Sequence, residues 1–119
     1  MRIHFGNLLL SQGRIAAIDF DDCGFGFHAY DLVVPLRNAE YILGKRRRRE
    51  LPKFKDALVE GYSRQCGWDE EDEDILPYMM VARGIALLGW LNSRSDNPSL
   101  RKNFKIVATR VVKQLKALD

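Results

Sequence analysis

Two short apolar runs facing each other across a glycine constrain this chain more than any other feature. Leu8, Leu9 and Leu10 form the first run, and Arg14 to Ile18, rich in Ile and Ala, form the second. Ser11-Gln12-Gly13 lies between them, and Gly13 is free to take the positive φ that a tight turn needs. Folding there pairs the runs as a β-hairpin and brings Asn7 and Asp19 to the same end of it. An amide oxygen beside a carboxylate suits Mg²⁺, a hard cation that fills its other positions with water or substrate phosphates. Asp21 and Asp22 add negative charge next to that pair, as accessory acids. Cys23-Gly24-Phe25-Gly26 reads as a loop, because two glycines so close together disfavour helix and strand. Asn and Asp are also common in plain turns, so a polar hairpin end without a metal stands as the alternative.

Further pattern follows in chain order. His4-Phe5-Gly6-Asn7, the hairpin, Ile18-Asp19-Phe20 and Ala29-Tyr30-Asp31-Leu32 together resemble the aminoglycoside phosphotransferase and choline kinase-like family. These are small-molecule kinases with a protein-kinase-like fold. Their catalytic segment reads His-Gly-Asp-x-His-x-Gly-Asn, and His4, Gly6 and Asn7 match its end. The resemblance implies that Asn7 binds Mg²⁺ and that Asp19 is the second metal ligand, the counterpart of the Asp in the protein-kinase Asp-Phe-Gly element. It implies that Asp31 is the family's buried acid, bracing the catalytic loop, and that His4 supports the same loop. ATP and a small-molecule hydroxyl are the substrates it implies. The expected fold is the partial C-terminal lobe: α+β, mostly helical, with a short N-terminal hairpin followed by about four helices.

The departure from the family pattern bears on mechanism. The catalytic Asp stands five residues before the metal Asn, and that position here is Arg2. A guanidinium stays protonated at any working pH and accepts no proton from a substrate. The nucleotide-binding lobe, with its phosphate-clamping lysine and adenine hinge, has no counterpart in the sequence. His4, Asp21 and Asp22 are more readily given structural tasks than the role of a replacement base, so no catalytic residue is assigned. The expectation is the C-terminal part of an ATP-dependent phosphotransferase, inactive alone. The alternative is a non-catalytic, kinase-like helical binding module. Self-association is expected through the surface where the other lobe would pack.

Length and composition agree with one partial domain, in which residues 1–27 are the hairpin region and 28–119 a helical subdomain. Charged residues at 29% and apolar ones at 46% are ordinary for a soluble globular chain. No run of apolar letters approaches the ~18 of a membrane span, and the start lacks the design of a signal peptide. Cys23 and Cys66 have neither zinc-site spacing nor the density of a disulfide scaffold, so a reducing cytoplasm is expected.

The net charge of +3 is unevenly placed: Lys45-Arg46-Arg47-Arg48-Arg49 is wholly basic and residues 69–74 are wholly acidic. The basic run has no interleaved aromatics to stack on bases and reads as a solvated loop or helix start. Neither a nucleic-acid nor a membrane partner is expected from it. The acidic run suits a helix N-terminus, where carboxylates meet unpaired amides.

Four helices are expected, over 29–43, 51–66, 75–92 and 99–118. Pro35 should bend the first or delay its start, and Pro52 fits the first turn of the second. The third is apolar on nearly all sides and reads as a buried central helix. Ser99 is the expected cap of the fourth, whose stripe runs through Leu100, Phe104, Val107, Val111, Leu115 and Leu118.

Overall fold

The computed structural model describes residues 5–20 and 24–118. Its first element follows from the turn. Gln12 and Gly13 both take positive φ, 49° and 74°, as a two-residue loop must if its twist is to match that of its flanking strands. Strands β1 (Leu8–Ser11) and β2 (Arg14–Ala17) therefore pair antiparallel, with Leu8 opposite Ala17 and Leu10 opposite Ile15. A single 3₁₀ turn, Phe5–Asn7, precedes β1. Four helices follow: α1 (His28–Leu43), α2 (Arg47–Cys66), α3 (Glu70–Asn92) and α4 (Pro98–Lys116), with a second 3₁₀ turn at Gly44–Arg46. The α+β, mostly helical architecture is the one the sequence implies.

By its internal contacts the chain divides into two compact units, Met1–Asp74 and Ile75–Asp119. In the first, α1 packs on α2. Ala29, Leu32, Val33, Leu36 and Ala39 of α1 are buried, whereas α2 buries no residue completely. The helix runs unbroken through Pro35, although proline has no N–H to add to the helical ladder. In the second unit the core is Leu91 of α3 with Val107 and Val111 of α4, and Leu87, Leu88 and Leu100 pack against them. The Arg94 guanidinium lies 4.4 Å above the Trp90 ring in the connecting turn.

Several expected features change. The enclosed helix is α1, not α3. Only Leu76, Val81, Gly84 and Leu91 of α3 are buried, while Tyr78 and Ile85 are more than half exposed. Apolarity on all sides of α3 is thus not matched by cover on all sides. By length and composition alone α3 is apolar enough to cross a bilayer, with a mean hydropathy of 1.3, a test that core helices of soluble proteins also pass. It also starts at Glu70 rather than 75. Asp69 caps it: its Oδ1 accepts from the Asp72 N–H at 3.0 Å, and its own N–H donates to Asp72 Oδ2 at 3.4 Å. That reciprocal pair is a capping box made of two aspartates. The second helix starts at Arg47, because the 3₁₀ turn leads straight into it, so Pro52 lies past the first turn. The cap of α4 is Asn97, whose side chain accepts from the Ser99 N–H, with Pro98 at the first helical position where no N–H is needed.

Candidate functional site

The hairpin positions Asn7 and Asp19 as the sequence requires. Beyond the last strand pair, the Ile18 N–H donates to the Asn7 carbonyl at 2.9 Å, extending the ladder by one rung. The chain then turns out through Asp19, at φ 66°. Left-handed backbone is uncommon outside glycine, and Asp is among the few residues that tolerate it. The turn sets the carboxylate beside the amide: Asn7 Nδ2 donates to Asp19 Oδ2 at 3.0 Å. The Asn7 end is tied down by Phe5, whose ring meets Phe54 of α2 edge-on with centroids 6.0 Å apart. Aromatic pairing of this kind holds the 3₁₀ turn, and with it Asn7, against the first unit.

Chemically the pair is an oxygen-donor half-site. With its amide turned over, Asn7 could offer an oxygen alongside the Asp19 carboxylate, and the two could share a cation in place of the hydrogen bond between them. Asp19 faces solvent, so water or phosphate oxygens have room for the remaining positions. Among the described residues no group of three or more His, Cys, Asp or Glu side chains gathers to hold a metal. Two protein ligands suit Mg²⁺, which is commonly bound by one or two side chains together with substrate phosphates.

Asp31 lies on the first turn of α1, half-buried rather than fully buried. It accepts a hydrogen bond of 2.8 Å from the hydroxyl of Tyr62 on α2. The Tyr62 ring stands edge-on to His28 and to Trp68, and the Trp68 indole N–H donates to Glu73 Oε2 at 3.1 Å. Lys55 of α2 pairs with the same Glu73. A chain of polar and aromatic contacts therefore joins α1, α2 and the opening of α3. Burial and the neighbouring Asp31 carboxylate push the Tyr62 hydroxyl well above its ordinary pKa, so it stays a donor. The Glu73 carboxyl is held below its ordinary value by its hydrogen bond from Lys55, with Trp68 adding to the effect.

Arg2, His4, Asp21 and Asp22 lie outside the described residues. Of the other site residues read from the sequence, the structure brings Asn7 and Asp19 together and gives Asp31 a partner. That partner, Tyr62, reads in the sequence only as part of an apolar helix face. The signal for it was there: a tyrosine carries a polar tip that seeks a partner once its ring is covered, and Asp31 supplies the acceptor.

The family model for the phosphotransferase enzyme family matches residues 3–74. The chain belongs to this family. The match takes in the hairpin, α1, α2 and the first turn of α3, and it ends on the last residue of the first compact unit. A phosphotransferase of this family is a kinase, and kinases of this kind act on small molecules with ATP, generally with Mg²⁺. No curated protein and no solved structure matches the chain.

Proposed function

We propose that this phosphotransferase chain is the C-terminal part of an ATP-dependent small-molecule kinase and supplies the metal side of the active site. Asn7 and Asp19 hold Mg²⁺, Asp31 braces the catalytic loop, and His4 supports it. The observation that carries the reading is the pairing of Asn7 with Asp19 at 3.0 Å across the base of the hairpin. With Arg2 in the position of the base, the chain alone does not transfer phosphate. The metal, when bound, neutralises charge on the nucleotide's phosphates; the protein's part is to hold and orient it. The substrate is a hydroxyl compound.

The cross-strand partners Leu10 and Ile15 are 76% and 71% exposed. Apolar surface presented in this way commonly meets a partner, which supports association of the hairpin region with a second copy of the chain.

Binding of Mn²⁺–ATP to the purified chain, read by electron paramagnetic resonance, tests the site. Weak binding that disappears in Asp19→Asn is expected, since Asn keeps the left-handed backbone at that position and loses the charge. Tight binding, or binding indifferent to Asp19→Asn, sinks the proposal. Sedimentation of the same samples reads the self-association. A second reading, a kinase-like module that binds without catalysing, is favoured by Arg2. It predicts a monomer or one defined oligomer in that sedimentation rather than open-ended association.

A further inference from the structure

The corner between α1 and α2 joins an exposed basic run to exposed apolar side chains. Residues 45–49, one Lys and four Arg, are all exposed, and Lys53 lies exposed four residues beyond Arg49 on the same helix. Between residues 40 and 53 the only acids are Glu40 and Glu50. Among the described residues the run makes one ion pair, Arg49 Nε to Glu50 Oε1 at 2.6 Å. Arg46 is the N-cap of α2 and Arg47 to Arg49 share its first turn with Glu50, with no side-chain hydrogen bond capping the helix. Cations there oppose the positive end of the helix dipole, and Glu50 is the single acid of that turn against them. Immediately before it, in the last turn of α1, Tyr41 and Ile42 are 75% and 60% exposed.

We propose that this corner docks on the surface of an anionic lipid bilayer. The phosphate and carboxylate headgroups answer the cations. Tyr41 and Ile42 enter the boundary between headgroups and acyl chains, where an amphipathic ring and an aliphatic side chain both gain. Nucleic acid is the other polyanion to weigh. Single strands are held on aromatic platforms that stack successive bases, and this corner has one aromatic, Tyr41, at its edge. An exposed isoleucine gains nothing from a sugar-phosphate backbone and gains much from acyl chains. The cytoplasmic leaflet is the anionic one, which suits the reducing compartment suggested by the two cysteines. The surface is independent of the metal site and stands whether or not that reading does.

The test is co-sedimentation of the full chain with vesicles of phosphatidylcholine alone or with about 30% phosphatidylserine, at rising salt. Binding only to the anionic vesicles, weakened by salt, is expected. Each surface cation is worth about fivefold, so the triple variant Arg46→Ala, Arg47→Ala, Arg48→Ala should bind roughly a hundredfold more weakly. These positions are exposed, and circular dichroism checks that the helices remain. Tyr41→Ser with Ile42→Ser, which leaves the charge intact, should also weaken vesicle binding while leaving binding to poly(U) RNA unchanged. Equal sedimentation with both vesicle types overturns the proposal. So does anionic-vesicle binding unaffected by the apolar double variant, or RNA that binds more tightly than the vesicles and displaces them.

Discussion

The two compact units are held by different kinds of contact. In residues 5–74, side-chain hydrogen bonds reach across the chain: Asn7 to Asp19, Tyr62 to Asp31 and Lys55 to Glu73. In residues 75–118 such bonds as Ser93 to the Trp90 carbonyl, or Thr109 to the Lys105 carbonyl, stay within one helical turn. What crosses between α3 and α4 there is an apolar cluster. Apolar packing is tolerant of sequence so long as volume and pattern are kept. Long-range polar pairs demand particular residues in register. The family match, which covers the first unit and stops where it stops, follows that line: the recognisable part is the part whose contacts need named side chains.

The contrast can be broken by substitution. The largest effect should come from Leu91→Ala, which opens a cavity beneath Val107 and Val111. It should cost about 2–5 kcal/mol in urea unfolding. A change under ~1 kcal/mol would show that the second unit does not depend on that cluster. Next, Tyr62→Phe keeps the ring against His28 and Trp68 and removes only the donor to Asp31. A loss of about 1 kcal/mol is expected, and a neutral result would remove the polar tie from the account of the first unit.

The smallest effect is the pairing of Glu73. Its folded pKa lies below the unfolded value, so its contribution is fully present above the ordinary carboxylate range. The contribution is lost as pH falls through the depressed folded value. The carboxylate is nearly half exposed, which limits the effect to a few tenths of a kcal/mol. Glu73→Gln should therefore be slightly less stable than the parent at neutral pH and equal to it in acid. A gap that persists in acid would assign the effect to packing.

The sequence displayed its turn and the meeting of Asn7 with Asp19 because both rest on local chemistry. Gly13 between two apolar runs fixes the hairpin, and the hairpin in turn fixes where Asn7 and Asp19 meet. Helix starts were harder to read. The six acids at 69–74 were legible as a helix entrance, but the residue that caps it is chosen by Asp69 and Asp72 bonding each other, and composition alone does not single out that pair. Pro52 pulled the expected start of α2 to its own neighbourhood, whereas the chain enters the helix through a preceding 3₁₀ turn. The burial of α1 rather than α3 depends on which helices pack together, and periodicity carries no such information. Which acceptor Tyr62 finds was hidden for the same reason, since Asp31 lies thirty-one residues away on another helix.

The hairpin has one last consequence. Two strands of four residues each make a sheet that is marginal in water by itself. An ion shared by Asn7 and Asp19 would act as a clasp across its open end, and any free energy gained by the ion's binding would be returned as order in the strands. The apparent affinity for the metal is then the intrinsic one multiplied by the fraction of molecules with the hairpin closed. Ligand and fold would then share a single equilibrium, and a change in the turn at Gly13 would be felt at the ion without touching it.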